Sequence, residues 1–303
     1  MTEFVRTPPV GEIAKFIANI NKSKSSNVGY AGGNRHEIEA CLTDKFSDLS
    51  LDESIIVYME QGEIVGFLGF DVDLEEGAAE IWGPFIDTES GPLWQRIATD
   101  LWNTGVAKLG NRVHTFKGFY NTANDRAREF MNQLGFVYKQ KESVLVIRRS
   151  SAKLEQGRSR IDSKLNNSIA AWDKRWKEAF SNLHDQCFPS TYYNSSAILE
   201  RLSDENRLFL YLQEEELLGY IYTEVNEEHA EGSVEYIAVS AAARNKGIGT
   251  ELIRYAVTDL FDRPIEEIRL CVSSSNSTAL GIYLRVGYTV EHELDFYILN
   301  TTK

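Results

Sequence analysis

The sequence predicts an α/β (α+β) protein made of two tandem copies of one unit, each a mixed, mostly antiparallel sheet flanked by helices. Three observations support this fold class. The chain has 303 residues, of which 43% are hydrophobic and 25% charged, an ordinary globular composition at a length that favours two domains. Two stretches of the chain resemble each other at a constant spacing. Both copies also have the same predicted order of elements: a run of strands comes first, and a single strand, a helix and the closing strands follow it.

The internal repeat is clearest between residues 121–138 and residues 273–290. Upstream, residues 62–86 resemble residues 215–239 in the same order. Two copies of about 150 residues are the simplest explanation of such a repeat. In the downstream stretch the matching pairs lie 152 positions apart: Asn124 and Asn276, Ala127 and Ala279, Met131 and Tyr283, Gly135 and Gly287.

Hydrophobic periodicity predicts corresponding elements in the two copies. The first copy is predicted to contain helices over 10–21, 35–45, 92–109 and 123–134, and strands over 54–59, 63–73, 78–86, 111–118 and 135–148. The second copy is predicted to contain helices near 170–187, 194–202, 247–260 and 277–286, a hairpin over 207–225, and strands over 233–240, 266–273 and up to 299. The polar stretch 150–168 is interpreted as holding the linker, so the expected domains are residues 1–150 and 151–303.

Charge and cysteine content exclude several classes of protein. A formal net charge of −13 disfavours binding to nucleic acid or to an anionic membrane, although it suits cationic partners such as amines. The three cysteines, Cys41, Cys187 and Cys271, form no CxxC pair, which indicates reduced thiols and no metal site. The sequence shows no signal-peptide core and no apolar run long enough for a bilayer. We therefore expect a soluble cytoplasmic protein with no nucleic-acid or membrane partner and no metal.

A glycine-rich loop precedes a predicted helix in the stretch 241-AAARNKGIGTELIRYAV-257. Glycine costs a helix roughly 1 kcal/mol relative to alanine, so two glycines here suggest a compensating role. A bare backbone at a helix N-terminus can approach a phosphate closely, although a simple turn is the alternative. The loop lacks the lysine of a P-loop, and Leu252 stands where a dinucleotide fingerprint needs glycine or alanine. The loop therefore matches neither of these two phosphate-binding motifs.

Two motifs of the second copy resemble those of the GNAT family, the Gcn5-related N-acetyltransferases. The loop matches the pattern R/Q-x-x-G-x-G/A with Arg244, Gly247 and Gly249. The pattern N-x-x-A-x-x-x-Y-x-x-x-G-F/Y follows downstream and is filled by Asn276, Ala279, Tyr283, Gly287 and Tyr288. The resemblance covers most of residues 170–299, whereas the first copy shares only the topology and the second motif. The tandem arrangement is similar in layout to mycothiol synthase, a member of that family.

The resemblance implies that the second copy binds acetyl-CoA, with the pyrophosphate of coenzyme A on the amides at the start of the helix. It also implies that the strand at 237–239 splays from the strand at 268–273 and leaves backbone groups for the pantetheine arm. Asn276 has two compatible interpretations, an N-cap and a hydrogen bond to that arm. The expected cofactor-binding residues are Ile237, Ala238, Val239, Arg244, Asn245, Lys246, Gly247, Ile248, Gly249, Thr250, Asn276 and Ala279.

Tyr283 occupies the position that the family uses for a general acid, where a phenol donates a proton to the departing thiolate. The alternative is an aromatic residue packed in the core. The first copy has Met131 at the matching position, and a thioether cannot donate a proton. The presence of a phenol in the second copy alone therefore favours the catalytic interpretation.

Glu235 is the candidate general base, which would take a proton from an ammonium acceptor, directly or through water. Strand alternation is expected to place Glu235 opposite Tyr236 and on the same face as Ile237. A solvated strand carboxylate is an equally good interpretation. Glu80 is its rough counterpart in the first copy, so a structural role common to both copies is a further alternative.

Substrate contacts are expected from the helix pair over residues 170–202. By resemblance, the segment 184–195 lies beside the acceptor pocket, which makes Tyr192 and Tyr193 candidate substrate contacts, and Tyr236 is a third candidate. The first two tyrosines could equally be packing residues. His184 is interpreted as a cap or a satisfied core residue rather than a base. The expected acceptor is a small-molecule amine or a peptide or protein amine.

The first copy is predicted to be non-catalytic. Its counterpart of the glycine loop has acidic residues, Asp87 and Glu89, in place of the arginine, and Pro92 removes a backbone donor. The predicted function is therefore an N-acetyltransferase whose second copy moves an acetyl group from acetyl-CoA to a primary amine by direct attack in a ternary complex. The alternative is a CoA-binding pseudo-enzyme or sensor without turnover. Two fused copies resemble a permanent homodimer, so a monomer is expected.

Overall fold

The computed structural model describes residues 7–44, 46–151, 168–189 and 191–301. The chain divides into two compact units, unit 1 (Met1–Glu142 and His292–Lys303) and unit 2 (Ser143–Glu291). The expected division at residue 150 assigns the C-terminal strand to the second copy, whereas the structure places its residues from His292 onward in unit 1. Most of the expected linker, residues 152–167, lies outside the described residues.

Unit 1 contains the predicted helices and strands in the predicted order, with one additional short helix over 51–54 that the sequence analysis did not predict. Its helices are α1 (Val10–Asn21), α2 (Arg35–Asp44), α3 (Leu51–Ser54), α4 (Gly91–Leu109) and α5 (Asp125–Gln133). Its strands are β1 (Ile55–Glu60), β2 (Glu63–Asp73), β3 (Ala78–Ile86), β4 (Thr115–Asn121), the first part of β5 (Val137–Arg148) and the later part of β11 (Thr289–Asn300). β1, β2 and β3 pair antiparallel, β3 and β4 parallel, and β4 and β11 antiparallel. Unit 1 is thus a mixed sheet with helices on it.

Unit 2 repeats this arrangement. Its helices are α6 (Lys177–Cys187), α7 (Ser195–Arg201), α8 (Ile248–Phe261) and α9 (Ser277–Val286). Its strands are the end of β5, β6 (Ile169–Ala171), β7 (Arg207–Gln213), β8 (Glu216–Asn226), β9 (Glu231–Val239), β10 (Glu267–Ser273) and the start of β11. The strand order is β5-β10-β9-β8-β7-β6, with β9 and β10 parallel and the pairs from β9 through β6 antiparallel.

The strand registers confirm the internal repeat. In the β2–β3 pair Gly66 is opposite Ile86, and in the β8–β9 pair Gly219 is opposite Val239. The parallel pairs also correspond, since Glu80 faces Lys117 in unit 1 and Ser233 faces Arg269 in unit 2. These registers show that the structural counterpart of Glu80 is Ser233. The expectation that Glu80 corresponds to Glu235 is therefore wrong.

Two segments differ from the predicted elements. Residues 169–171 pair as β6 with β7, and a 3-10 turn (Lys174–Trp176) follows, so the helix predicted from residue 170 begins at Lys177. The Asp173 side chain accepts a hydrogen bond from the Arg175 amide at 2.9 Å, which caps that turn. In unit 1 the strand predicted from residue 111 begins at Thr115, because Gly110 at φ +60° opens a 3-10 turn.

Two hydrophobic clusters pack on opposite faces of the unit 2 sheet. One joins α8, through Leu252 and Val257, to Ile221 of β8. The other joins Phe180 of α6 to Tyr220 of β8. Neighbouring β8 residues enter different clusters, as strand alternation requires. The helix pair α6 and α7 therefore covers one face and α8 the other.

Cys41, Cys187 and Cys271 form no disulfide in the part of the chain that the structure describes. Among the described residues, no group of His, Cys, Asp and Glu side chains is arranged to hold a metal ion. None of the helices that the structure describes combines the length and apolarity that a bilayer crossing requires.

Burial raises the pKa of the Glu80 carboxyl in unit 1 to about 7, and the neighbouring Asp71 adds to the shift, while Lys117 opposes it. The unfolded chain has an ordinary glutamate pKa, so the native state binds the extra proton between about pH 4.3 and 7, and stability falls as pH rises through this window. We expect Glu80→Gln to raise stability at pH 8 by about 1–2 kcal/mol, after allowance for solvent screening, and to have little effect at pH 4. Urea unfolding at both pH values measures this, with Glu60→Gln as the exposed control, because Glu60 does not contribute to the pKa shift of Glu80. An equal effect at the two pH values would contradict the assignment.

Candidate functional site

A cavity of about 700 Å³ opens in unit 2 where β9 and β10 separate. Their parallel pairing covers residues 231–233 and 267–269, and β9 continues to Val239 beyond the last pair. The splay expected for this strand pair is confirmed. The cavity is lined by residues of α6, β9, the loop, α8 and α9: Cys187, Phe188, Ile237, Ala238, Val239, Ala243, Arg244, Asn245, Gly247, Ile248, Gly249, Thr250, Ile253, Asn276, Thr278, Ala279, Ile282, Tyr283 and Arg285.

The residues expected to bind the cofactor come together in this cavity, with the exception of Lys246. Tyr283 also lines it, whereas Glu235, Tyr192, Tyr193 and Tyr236 do not. The sequence reasoning did not assign seven of the lining residues to the site: Cys187, Phe188, Ala243, Ile253, Thr278, Ile282 and Arg285. A usable signal existed for the last three, because Thr278, Ile282 and Arg285 recur at the spacing of one face of α9.

The loop between β9 and α8 presents unpaired backbone amides. A 3-10 turn (Ala241–Ala243) leads to Asn245 at φ +63° and Gly247 at φ +86°, and α8 begins at Ile248. The amides of Thr250 and Glu251 both donate to the Gly247 carbonyl, at 2.9 and 3.1 Å. In the described part of the chain, the amides of residues 245–249 donate to no protein acceptor. Unpaired amides at a helix N-terminus form an anion-binding site.

Cationic side chains stand beside these amides. Arg244 and Arg285 line the cavity, and the Arg244 Nε donates to the Val239 carbonyl at 3.2 Å, which holds the arginine against the strand end. A cavity that combines positive charge and free amides with apolar walls suits a ligand with a phosphorylated end and an apolar or amide-bearing tail. The residues present therefore fit an acyl-CoA.

The protein's own packing does not require a glycine at residue 249. A Cβ at Gly249 would meet Ile282 Cδ1 at 3.7 Å and Val239 Cγ2 at 3.9 Å, which are ordinary contacts, and its φ is negative. We expect Gly249→Ala to leave the melting temperature unchanged or slightly raised, because alanine is the better helix former. Its Cβ enters the cavity, so affinity for acetyl-CoA should fall at least about tenfold. Calorimetric titration and thermal melting measure the two effects.

The matched control for that substitution is Gly247→Ala in the same loop. Gly247 has φ +86°, a left-handed backbone conformation that costs other residues about 1 kcal/mol or more. This variant should therefore lose thermal stability. Unchanged acetyl-CoA affinity of Gly249→Ala would show that no ligand approaches the backbone there.

Tyr283 is a buried phenol without a hydrogen-bond partner. Its side chain is 5% exposed, and its ring lies 5.8 Å from that of Tyr288. The hydroxyl bonds to none of the described residues, although the side chain lines the cavity. Burial raises the pKa of Tyr283 to about 12, so the phenol is protonated at neutral pH. The matching residue of unit 1, Met131, is fully buried.

Asn276 is the N-cap of α9, because its side chain accepts a hydrogen bond from the Ala279 amide at 3.1 Å. Asn124 caps α5 in the same way, with Ala127 as donor. The capping interpretation is confirmed for Asn276. Since Asn276 also lines the cavity, a second role toward a ligand stays a prediction.

Glu235 occupies a β-bulge. The pairing of β8 with β9 leaves Glu235 without an opposite residue on β8. Val234 packs with the hydrophobic cluster that contains α8, and Tyr236 packs with the cluster that contains α6. The Tyr192 hydroxyl donates to the Glu235 carboxylate, and the Tyr192 ring lies 5.7 Å from that of Tyr236. Glu235 therefore shares a side with Tyr236. The expectation that it faces the side of Ile237 is wrong, because the bulge interrupts strand alternation.

His184 is a satisfied core residue. Its Nε2–H donates to the Tyr193 carbonyl at 2.9 Å, and its Nδ1 accepts from the Tyr220 hydroxyl at 2.5 Å. Burial lowers the pKa of His184, so the ring is neutral at pH 7. Both nitrogens are occupied, which confirms the structural interpretation.

Aromatic residues and one carboxylate cluster between α6 and α7. Tyr192 is 67% exposed and stacks beside Tyr193 at 4.3 Å. The Tyr236 hydroxyl shares a hydrogen bond with the Thr191 hydroxyl at 2.6 Å and accepts one from the Tyr193 amide at 3.3 Å. This cluster, with Glu235, offers an aromatic and anionic surface.

Unit 1 has a corresponding cavity of about 540 Å³ with reversed polarity. The Arg126 guanidinium donates to the carbonyls of Thr88 and Glu89 at 2.8 and 2.9 Å. Here the loop offers carbonyl oxygens to a cation, whereas the unit 2 loop offers amide hydrogens. Asp87 and Glu89 also line the cavity, and their charge would repel a pyrophosphate.

Comparison with known proteins gives matches to this fold and to the part of the chain that forms the cavity. Residues 171–288 match the family model of the GNAT acetyltransferases, described as "Acetyltransferase (GNAT) family". Mycothiol acetyltransferase of Amycolatopsis mediterranei strain U-32 is 31% identical over 99 residues, which cover 30% of this chain and 33% of that protein. The matched segment thus spans about a third of the length of that curated relative.

Solved structures match nearly the whole chain. A GCN5-related N-acetyltransferase from Sphaerobacter thermophilus has a TM-score of 0.72 at 15% identity, covering 97% of this chain and 94% of that one. A tandem GNAT protein from the clavulanic acid biosynthesis pathway has a TM-score of 0.61 at 14% identity, covering 100% and 99%. At these identities the likeness establishes the fold. The chain therefore has a tandem GNAT fold, and its residues 171–288 match the model of the GNAT acetyltransferase family.

Proposed function

We propose that unit 2 is an N-acetyltransferase that transfers the acetyl group of acetyl-CoA to a primary amine by direct attack in a ternary complex. The observation that carries this proposal is the pairing of unsatisfied amides at residues 245–249 with a buried, unpartnered phenol at Tyr283 in one cavity. The first feature suits a pyrophosphate, and the second suits a developing thiolate. The family match over residues 171–288 supports the same reaction class.

The proposed binding mode follows from the cavity lining. The amides of residues 245–249 would hold the pyrophosphate, with Arg244 and Arg285 balancing its charge. Backbone groups of β9 beyond its last pair with β10 would bind the pantetheine amides. Bound acetyl-CoA supplies an activated thioester.

Tyr283 would act as the general acid. A phenol whose pKa burial raises to about 12 stays protonated at physiological pH and can donate a hydrogen bond or a proton to a departing thiolate. Its hydroxyl has no competing partner among the described residues, so it is available for that contact. Met131 at the matching position of unit 1 could pack but not donate.

Glu235 would interact with the amine acceptor and act as its general base. The carboxylate accepts from Tyr192 and stands with Tyr236 on the α6 side of the sheet. A cationic amine can form an ion pair with the carboxylate and a cation–π contact with the exposed aromatic rings, so this surface suits such an acceptor. We propose that Glu235 attracts the ammonium and receives its proton, and that Tyr192, Tyr193 and Tyr236 contact the acceptor, which is a small molecule or a peptide or protein amine.

We also propose that unit 1 does not bind acetyl-CoA, because Arg126 and the acidic loop occupy its corresponding position. Isothermal titration should then give one acetyl-CoA per chain. Two binding events would contradict this part of the proposal.

The test of the activity is a reaction with acetyl-CoA and a panel of small amines, peptide N-termini and lysine peptides. Release of free thiol, matched by an acetylated product in mass spectrometry, is the expected result for at least one acceptor. Tight acetyl-CoA binding without thiol release across the panel would favour a CoA-binding protein without turnover.

A further inference from the structure

Cys187 is a thiol in the wall of the unit 2 cavity. It is the last residue of α6, it is partly buried, and it lines the cavity together with Phe188 and Tyr283. Its thiol is free. The acyl-transfer scheme proposed above gives it no role.

The cavity itself indicates what ligand would meet this thiol. Tyr283 is 95% buried and lines the same cavity, and its hydroxyl bonds to none of the described residues. The unpaired amides at residues 245–249 lie at the phosphate-binding end. A ligand that uses both features carries phosphate at one end and sulfur at the other. This step rests on the proposed function.

We propose that Cys187 is a site of reversible modification by coenzyme A, in which a mixed disulfide joins its sulfur to the CoA sulfur. The co-reactant is the symmetric disulfide of CoA. The Cys187 thiolate attacks one sulfur of that disulfide, the CoA S–S bond breaks, and one CoA leaves as a thiolate. One disulfide is exchanged for another, so the step needs no further oxidant.

The other two cysteines provide the contrast. Cys41 and Cys271 lie outside the cavity lining. Burial raises the pKa of the Cys41 thiol to about 11, with nearby acidic groups adding to the shift, so little thiolate forms there. Cys271 is exposed and should react with any disulfide without regard to its CoA portion. Of the three cysteines, only Cys187 lines the same cavity as the loop that is proposed to bind phosphate.

Such an adduct would switch the protein off. The tethered CoA would occupy the amides and the cavity beside Tyr283, so acetyl-CoA could not enter. A thiol reductant would release it and restore activity. Oxidation of CoA to its disulfide would therefore block acetyl transfer, because the tethered CoA occupies the binding site of acetyl-CoA.

The experiment uses the full chain carrying Cys41→Ser and Cys271→Ser, which leaves Cys187 as its single cysteine. The protein is treated with CoA disulfide or with glutathione disulfide, and intact mass is followed over time. Binding at the loop should make CoA disulfide react at least about tenfold faster than glutathione disulfide, through effective concentration. Excess acetyl-CoA should slow the reaction with CoA disulfide, because the two compete for the same cavity. Dithiothreitol should remove the adduct.

Peptide mapping of the wild-type protein gives a second measurement that does not depend on the substitutions. The expected result is CoA on Cys187, with glutathione mainly on Cys271. Equal rates for the two disulfides, or no protection by acetyl-CoA, would overturn the inference. A separate titration of acetyl-CoA separates the two proposals: binding without selective modification refutes the Cys187 site, whereas absence of binding refutes the proposed function.

Discussion

Replacing Tyr283 by phenylalanine is expected to lower kcat by about a hundredfold, the usual contribution of one general acid. The KM for acetyl-CoA should change little, because the phenol meets the substrate only at the reacting sulfur and the phosphate contacts are unchanged. Steady-state kinetics with the best acceptor from the amine panel, together with calorimetric binding of acetyl-CoA, separates the two parameters. The fold should be preserved, since phenylalanine fills the same volume in a site that is 95% buried.

The matched control is Tyr288→Phe. The Tyr288 ring lies 5.8 Å from the Tyr283 ring, and its buried hydroxyl has no partner among the described residues, yet Tyr288 does not line the cavity. Removing an unsatisfied buried hydroxyl should leave kcat unchanged and keep or raise stability. If the two variants lose activity equally, Tyr283 acts by packing rather than as an acid.

The pH dependence gives an independent check on Tyr283. Burial raises its pKa to about 12, so the acid form persists across the range in which the protein can be assayed. The rate profile should therefore show no alkaline loss that disappears in the phenylalanine variant. An alkaline limb below pH 10 that Tyr283→Phe abolishes would contradict this assignment.

Local signals were sufficient for most of the fold. The helix predicted over 247–260 is found at Ile248–Phe261, because Leu252, Ala256 and Leu260 recur at helical spacing and Gly247 marks its start. The matched glycines and asparagines of the two copies identified the repeat, and the strand registers confirm it. Such features depend on neighbours in the chain, which a sequence shows directly.

Features that depend on a partner strand could not be predicted. The bulge at Glu235 comes from how β9 pairs with β8, and simple alternation therefore placed the carboxylate on the wrong face. Arg126 reaches two loop carbonyls far from it in sequence, and no local pattern announces that contact. The alignment of Glu80 with Glu235 was wrong because the strand pairings, which the sequence does not show, make Ser233 the counterpart of Glu80.

The C-terminal strand illustrates the same limit. Both copies end in a closing strand with the same local pattern, so the sequence cannot tell which copy's sheet each strand completes. In the structure residues 143–148 of β5 belong to unit 2, and residues 292–300 of β11 belong to unit 1, where they pair with β4. A boundary drawn at residue 150 therefore removes a strand segment from each unit.

A fragment of residues 151–303, cut at the boundary that the sequence suggests, is consequently expected not to fold. It lacks Leu145 and Ile147, which are 0% and 3% exposed and belong to the core that α8 covers. Burying two such side chains stabilises by roughly 3–6 kcal/mol, a large part of the 5–15 kcal/mol typical of a domain. It also lacks Arg149, whose guanidinium donates to the carbonyls of Phe261, Arg263 and Ile265 at 2.6–2.9 Å.

The informative comparison is with residues 143–303, which differ only by eight added residues. The longer fragment restores Leu145, Ile147 and Arg149, and it also regains the hydrogen bond between the hydroxyls of Ser143 and Ser274. We expect cooperative thermal melting by circular dichroism and acetyl-CoA binding from residues 143–303, and neither from residues 151–303. Because both fragments share the whole loop between β9 and α8 as well as Tyr283, a difference between them measures the contribution of the β5 segment to folding. Equal melting of the two would mean that unit 2 is complete without β5.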